Sequence, residues 1–240
     1  MPSNSAAKRA TKKKREPEAL SEAAETLSFE AELERMLPPD LPHRADVVAQ
    51  AARHLELVVE VNRHLNLTRV TEPHEAAVKH VLDSVIPWRL FQGARHIIDA
   101  GTGPGFPGIP LALVFPGTRF TLADSTGKKA RFVESVVEQL ALKNVQVEPR
   151  RAEELTRAGS FDLITARAMA PLEKALDLFG PALKRGTRAL FYKGPDAERE
   201  IEEAARQAKK YGVQLRVAMR YELPEGFGTR TIVEVTRAPR

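Results

Sequence analysis

The chain has 240 residues, enough to bury one sizeable core, and this length favours a single domain with terminal additions over two domains. It contains no cysteine, which excludes disulfides, thiolate zinc sites and thiol nucleophiles. The formal net charge is +5, from 37 Lys and Arg residues against 32 Asp and Glu residues. No apolar run reaches membrane-spanning length and the basic N-terminal segment has no apolar centre, so we expect a cytoplasmic protein without a membrane segment or a signal peptide.

Residues 1–17 form a basic tail. Its six Lys and Arg residues stand against a single acid, Glu16, and this excess accounts for the whole net charge of the chain. Such a composition is typical of a solvated, disordered segment. Attraction to nucleic acid is the functional alternative; it would be independent of sequence and would weaken steeply with salt.

Residues 18–92 form a helical region in which we predict three helices. The first covers residues 18–36, where apolar residues recur at helical spacing. Asp46 is expected to cap the second, which ends near residues 62–65. Pro73 sits in the first turn of the third, which ends before Pro87. We expect residues 45–92 of this region to pack with residues 93–240 as one unit.

After Gly93 the pattern changes to short apolar strands that alternate with amphipathic helices. Strands are expected at His96–Ala100, Arg119–Asp124, Val145–Glu148, Phe161–Ala166 and Thr187–Tyr192. Helices are expected at Gly108–Phe115, Lys128–Leu142, Leu172–Leu183 and Asp196–Tyr211, with a weaker helical pattern around Glu153. Two later runs, Gln214–Glu222 and Arg230–Thr236, have no helix between them and should form an antiparallel hairpin. The predicted fold class is therefore α/β, a doubly wound and mostly parallel sheet with an antiparallel edge hairpin.

A ligand site is expected where the first two strands end, because open sheets of this kind bind ligands beyond the carboxyl ends of their strands. Asp99 closes the first strand and is followed by glycines at 101, 103 and 105, which allow the backbone to approach a ligand closely. Asp124 closes the second strand, where a ribose would lie. Acids at these places are compatible with the positive sulfonium of S-adenosyl-L-methionine and unfavourable beside a pyrophosphate.

A dinucleotide site is the main alternative for this glycine cluster. Residues 103–108 do satisfy the pattern G-x-G-x-x-G, but this frame begins two residues late relative to the strand. In the frame that abuts the strand, Phe106 occupies the place of the third glycine. The pattern therefore favours S-adenosylmethionine over a dinucleotide.

The segment from Asp99 to Leu111 resembles the signature of the bacterial small-subunit ribosomal RNA guanine-N7 methyltransferases, once called glucose-inhibited division protein B. Further matching segments follow the order and spacing of that family and extend the resemblance over residues 45–235: Asn66-Leu67-Thr68, His80-Val81-Leu82-Asp83-Ser84, Asp124-Ser125-Thr126-Gly127-Lys128-Lys129, Arg151-Ala152-Glu153-Glu154, Ala166-Arg167-Ala168-Met169-Ala170-Pro171-Leu172 and Lys193-Gly194. The chain departs from the family at Arg230-Thr231, where Arg-His is usual, so only Arg230 is carried over.

The resemblance implies a Rossmann-like class I fold that uses S-adenosyl-L-methionine to methylate N7 of a guanine in the 530 loop of 16S rRNA, at position 527 in conventional numbering. The implied cofactor-binding residues are Asp99, Gly101, Gly103, Gly105, Phe106, Asp124, Ser125, Ala152, Glu153 and Arg167. The implied catalytic residues are Arg167 and Lys193, and the implied RNA-binding residues are Arg151, Lys193 and Arg230. Because guanine N7 carries an exposed lone pair, the reaction needs alignment of the reactants and no dedicated general base.

Several alternatives stay open at the level of the sequence. Arg167 could instead form an ion pair with a neighbouring acid, and His80 and Asp83, which share one helical face, could simply hydrogen-bond the helix to the domain. The chain could methylate another nucleic acid or a small molecule, or act as a non-catalytic RNA-binding assembly factor. Its expected partner is 16S rRNA, in the small ribosomal subunit or in an assembly intermediate. We expect a monomer, and no metal site because the six histidines form no ligand-spaced cluster.

Overall fold

The computed structural model describes residues 29–239. The basic tail and the first part of the predicted helix 18–36 lie outside these residues. Residues 29–36 are helical (α1) and agree with that prediction where the two overlap. No helix within residues 29–239 is long and apolar enough to cross a membrane.

The second helix, α2, covers Arg44–Leu65. The predicted capping role of Asp46 is wrong, because the N-cap is His43, three residues earlier, and Asp46 lies in the first turn of the helix. An acid there still interacts favourably with the positive end of the helix dipole. The helix ends at Leu65, and its C-cap, Asn66, takes the left-handed conformation that is common at helix ends (φ 48°).

The third predicted helix is a continuous structure with an irregular centre. It consists of α3 (Pro73–Ala76), a π-helical segment (Ala77–Leu82) and α4 (Asp83–Val85), and a short 3-10 helix, Trp88–Phe91, follows. The Glu72 carboxylate caps α3 by accepting two backbone N–H groups. Apolar periodicity did not predict the π-helical turns, which occur frequently at functional sites.

A seven-stranded sheet forms the centre of the fold and confirms the predicted fold class. Its strands are β1 (His96–Ala100), β2 (Arg119–Ala123), β3 (Val145–Glu148), β4 (Leu163–Arg167), β5 (Arg188–Lys193), β6 (Val213–Leu223) and β7 (Gly228–Arg237). They lie in the order β3-β2-β1-β4-β5-β7-β6, in which β1 to β5 are parallel and β7 runs antiparallel to both of its neighbours.

Six helices connect or flank these strands: α5 (Gly108–Val114), α6 (Gly127–Gln139), α7 (Ala152–Ala158), α8 (Leu172–Lys184), α9 (Ala197–Glu203) and α10 (Ala205–Tyr211). The single helix predicted over 196–211 is divided at Ala204. The sequence does not predict this break, because one irregular turn leaves the apolar periodicity unchanged. The fourth strand begins at Leu163, two residues later than predicted. Just before it, the Asp162 carboxylate accepts the backbone N–H groups of Arg95 and His96.

The core lies on both faces of the sheet, since successive strand residues point to opposite sides. Ile97 packs with the N-terminal helices, whereas Ile98 packs with the face covered by α8. The chain leaves β1 for β2 on one side and reaches β4 on the other, so the carboxyl ends of β1 and β4 flank the crevice where such sheets bind ligands.

Candidate active site

Two cavities open at the carboxyl edge of the parallel strands and share Gly101. The larger, of about 510 Å³, is lined by residues that include Gly101, Gly103, Phe106, Arg167, Lys193 and Arg230. The smaller, of about 290 Å³, is lined by residues that include Gly101, Asp124, Ser125, Arg151, Ala152 and Glu153. All the site residues expected from the sequence line one of these cavities, with the exception of Asp99 and Gly105.

The glycine loop after β1 leaves open space for a ligand. Gly101 and Gly103 have φ of 73° and 60°, and a Cβ added to either would meet no protein atom within 4 Å. The N–H of Gly103 donates to the Asp124 carboxylate at 3.1 Å, and that carboxylate also accepts the N–H of Thr126 at 2.8 Å. Asp124 therefore fixes the loop while it lines the smaller cavity.

Asp99 lies beneath the loop and lines neither cavity. It is fully buried, and one carboxylate oxygen accepts the N–H of Gly108 at 2.9 Å, whereas the other has no partner among residues 29–239. Burial raises the pKa of Asp99 to about 6, and the neighbouring Thr102 hydroxyl and the N–H of Gly108 oppose that shift. Gly105 is also a packing position, since a Cβ there would lie 2.6 Å from the Ile109 side chain. These two residues shape the loop from below.

Phe106 forms part of the wall of the larger cavity and lies between two histidine rings. His54 and His80 stack against it with ring centroids 4.5 Å and 4.6 Å away. The Nε2 of His54 donates to the carbonyl of Pro104 in the loop, at 2.8 Å. His54 was not predicted as a site residue, because it lies fifty residues from Pro104 in the chain and belongs to no motif.

Arg167, the last residue of β4, is both paired and exposed to the larger cavity. Its Nη1 donates to the Asp83 carboxylate at 3.0 Å, to the Lys79 carbonyl at 2.9 Å and, at longer distance, to His80 and Ser84. The ion pair of Arg167 with a neighbouring acid, one of the two alternatives from the sequence, is therefore present. Its partner, Asp83, is reached across 84 positions of the chain.

The other three cationic side chains expected at the site differ in their contacts with neighbouring residues. The Lys193 ammonium is 2.7 Å from Glu200 and donates to the Ala170 carbonyl at 3.0 Å. The Arg151 side chain is 66% exposed beside the smaller cavity. Arg230 places its Nε 3.4 Å from the Asp83 carboxylate.

Thr231 stands where the family usually has His. It is fully buried in β7, and its hydroxyl has no hydrogen-bond partner among residues 29–239. Within the same residues, no group of three or more His, Asp or Glu side chains is arranged to hold a metal ion.

The profile of the family described as rRNA small subunit methyltransferase G matches residues 47–223. The chain belongs to this family. It is 61% identical over 209 residues to a ribosomal RNA small subunit methyltransferase G from Solibacter usitatus, which covers 87% of this chain and 100% of the relative. It is 39% identical over 187 residues to the protein of the same name from Carboxydothermus hydrogenoformans, covering 75% of this chain and 79% of the relative.

Solved structures show the fold at lower identity. The O-methyltransferase from Streptomyces achromogenes involved in tomaymycin synthesis, in complex with SAM, superposes with a TM-score of 0.54 at 16% identity, covering 78% of this chain and 90% of that chain. The O-methyltransferase from Bacillus cereus, in complex with SAH, gives 0.53 at 21% identity, covering 77% and 91%. Both the family and the methyltransferase fold expected from the sequence are thereby confirmed.

Proposed function

We propose that this chain transfers the methyl group of S-adenosyl-L-methionine to N7 of a guanine in the 530 loop of 16S rRNA. The match to the methyltransferase G family supports the reaction class, the cofactor and the ribosomal RNA substrate. The N7 position and the loop come from the resemblance of the segment Asp99 to Leu111 to the guanine-N7 enzymes. The paired cavities around Gly101 give the two reactants separate places that meet at one point.

The smaller cavity suits the nucleoside of the cofactor. Asp124 lines it, and a carboxylate with four lone-pair positions can accept ribose hydroxyls besides the two N–H groups that it already accepts. Ser125, Ala152 and Glu153 line the same space. Because Gly101 borders both cavities, the methionine portion would pass along Gly101 into the larger one.

The larger cavity suits the base that is methylated. S-adenosylmethionine, when bound, supplies a methyl group on a positive sulfonium. A purine N7 can accept that methyl group without losing a proton. A base splayed from an RNA loop can enter such a cavity at lower cost than a base stacked in a duplex. Phe106, whose ring is stacked between His54 and His80, lines this cavity, and the Arg167 guanidinium lies 5.7 Å from the centre of that ring.

Arg167 is the residue that we place against the acceptor. Within residues 29–239 its hydrogen bonds all use Nη1, and Nη2 and Nε have no hydrogen-bond partner there. These groups can donate to guanine O6 or to a phosphate, whereas a bond to N7 would occupy the lone pair that must react. Arg230 and Arg151 are proposed as further phosphate contacts, at the larger and the smaller cavity respectively.

The decisive experiment is incubation of the purified protein with methyl-labelled S-adenosylmethionine and small ribosomal subunits that lack this modification, followed by mass spectrometry of RNA fragments. Label on N7 of one guanine in the 530 loop is the expected result. Label on another nucleotide would overturn the assigned acceptor. Measurable cofactor binding without any transfer to RNA would favour the non-catalytic RNA-binding alternative. Naked 16S rRNA, tested in parallel, shows whether the assembled subunit is required.

A further inference from the structure

Asp83 is a buried acid at the junction of the N-terminal helices and the sheet, and it contacts two of the cations in the larger cavity. Its side chain is 2% exposed. One carboxylate oxygen lies 3.0 Å from Arg167 Nη1 and 3.4 Å from Arg230 Nε. The other accepts the hydroxyl of Tyr221 at 2.9 Å. Three strands, β4, β6 and β7, therefore converge on one side chain of α4.

The π-helical segment Ala77–Leu82 adds to this arrangement. Asp83 directly follows it, and the Lys79 carbonyl within it accepts a hydrogen bond from Arg167 Nη1 at 2.9 Å. Nη1 is thus held by a carboxylate and by helix carbonyls, and the planar guanidinium is fixed in one orientation. A planar fork held along one edge is preorganised to present its other edge. In Arg167 that other edge, Nη2 and Nε, belongs to a residue that lines the larger cavity.

The charge of Asp83 is as important as its position. The proposed reaction moves one positive charge from the sulfonium to the purine, and two unpaired guanidinium groups beside the purine would oppose that transfer. The buried carboxylate contacts both cations, so Asp83, Arg167 and Arg230 together carry one net positive charge instead of two. The cavity can then attract RNA and still tolerate a cationic product.

We propose that Asp83 is a positioning residue, whose buried carboxylate orients Arg167 and Arg230 in the acceptor cavity and reduces their charge beside the reacting base. This inference rests on the proposed function. Asp83 borders the larger cavity, but its carboxylate is almost fully buried and its oxygens already bind Arg167, Arg230 and Tyr221. It therefore acts through the two arginines, and chiefly through Arg167, to which it is closer.

The test is a double-mutant cycle on Asp83 and Arg167, read as single-turnover methylation of unmodified small subunits. We expect Asp83→Asn to lower the rate about 100-fold, as for a reacting group that is displaced by about 1 Å. We expect cofactor affinity, measured by calorimetry, to stay within about 3-fold of wild type, since Asp83 is absent from the smaller cavity, where the nucleoside is placed, and its carboxylate oxygens already bind protein groups. In the Arg167→Met background, adding Asp83→Asn should cost less than about 3-fold, because the residue through which it acts is already gone.

Asp162→Asn is the matched control. Its carboxylate also accepts hydrogen bonds, from the backbone of Arg95 and His96, but lies at the amino ends of the strands, away from both cavities. We expect its methylation rate to be near wild type. A full effect of Asp83→Asn in the Arg167→Met background, or an Asp83→Asn rate equal to that of Asp162→Asn, would overturn the inference.

Loss of one member of a buried ion pair can prevent folding. If Asp83→Asn does not fold, as judged by circular dichroism, the comparison is made between Arg167→Met and the double variant, in which the closer cation is also absent. Equal rates support the inference, and a further large loss overturns it. Failure of the wild-type chain to methylate the subunit would overturn the proposed function and this inference together. Normal wild-type activity with an active Asp83→Asn variant would overturn the inference alone.

Discussion

The imidazole ring of His80 lies nearly parallel to the phenyl ring of Phe106, with 4.6 Å between the centroids and 8° between the planes. His54 stacks on Phe106 as well, at 4.5 Å and 25°. The aromatic residue of the glycine loop is therefore clamped between a side chain of α2 and one of the π-helical segment. This clamp connects the N-terminal helices to the loop that borders both cavities.

We expect Phe106→Leu to weaken both the clamp and cofactor binding. The smaller side chain loses two ring stacks, which should lower the free energy of unfolding by about 1 to 3 kcal/mol. The loop of the variant must be ordered when the cofactor binds, and this cost should lower S-adenosylmethionine affinity by at least about 5-fold. Chemical denaturation and calorimetry measure the two effects.

Phe161→Leu is the control for this change. Its ring also contacts a histidine, His96, at 4.5 Å, but at the opposite end of the sheet. It should lose stability without losing cofactor affinity. Equal losses of affinity in the two variants would show that the clamp has no specific role at the site.

Stability should fall in mild acid because the two histidines of the clamp are buried in their neutral forms. Burial lowers the pKa of His54 to about 4, and burial together with the charge of Arg167 lowers that of His80 to about 3. In the unfolded chain both protonate near pH 6.5. Their contribution is therefore complete above pH 6.5 and is lost as the pH falls toward 4, by about 2 kcal/mol each at pH 5.

Asp99 has the opposite effect on the free energy of unfolding. Burial raises its pKa to about 6, so the cost of burying its charged form disappears as the pH falls. The histidine contribution is isolated by comparing wild type with His54→Gln, which can keep a donor to the Pro104 carbonyl. Urea unfolding at pH 7 and pH 5 should give a smaller difference between the two pH values for the variant. The same difference in both proteins would contradict the assignment.

The features that sequence analysis predicted well depend on neighbouring residues. Strand β1 and the glycine run after it follow from alternation and from the conformational freedom of glycine, and His96–Ala100 has the predicted bounds. Asp124 was placed at the ribose side because it closes the next strand, and it does line the smaller cavity. Local pattern is sufficient for such features since each is encoded within about ten residues.

The features that it missed depend on contacts between distant residues. Arg167 was identified as a candidate with two possible roles, but its partner Asp83 lies in another element, and no spacing rule connects the two. The contact of His54 with Pro104 is of the same kind. Asp99 was expected to face the cofactor; instead it points beneath the loop, a distinction set by the packing of α5 against β1 and β2.

Gly108→Ala should destabilise the protein where the loop enters α5. An added Cβ would lie 2.2 Å from the Leu122 side chain and 2.7 Å from the Asp99 carboxylate, so one of them must move. Overpacking of this kind costs about 1 to 3 kcal/mol. Since the shift also disturbs the bond from Gly108 to Asp99, we expect weaker cofactor binding in the same variant.

Gly117→Ala is the matched control. Its Cβ would meet nothing within 4 Å, and Gly117 does not have a left-handed backbone conformation. Its free energy of unfolding should stay within about 0.5 kcal/mol of wild type. A destabilised Gly117→Ala, or an unaffected Gly108→Ala, in thermal and urea unfolding would contradict this account of the loop.

Lys193 offers the sharpest choice between two roles. The sequence resemblance implies an RNA contact, whereas the structure gives its ammonium two partners, Glu200 and the carbonyl of Ala170 in the segment after β4. The side chain is only 9% exposed. We therefore expect Lys193 to act mainly by bracing the segment that follows Arg167.

Lys193→Met should accordingly lower kcat while leaving the salt dependence of RNA binding unchanged. A phosphate contact contributes about one unit to the slope of the logarithm of the binding constant against the logarithm of salt concentration. Arg230→Met, which removes a proposed phosphate contact, should reduce that slope. Glu200→Gln should reproduce part of the kcat loss of Lys193→Met, because it weakens the same brace from the other side. A reduced slope in Lys193→Met with normal kcat in Glu200→Gln would instead assign Lys193 to the RNA.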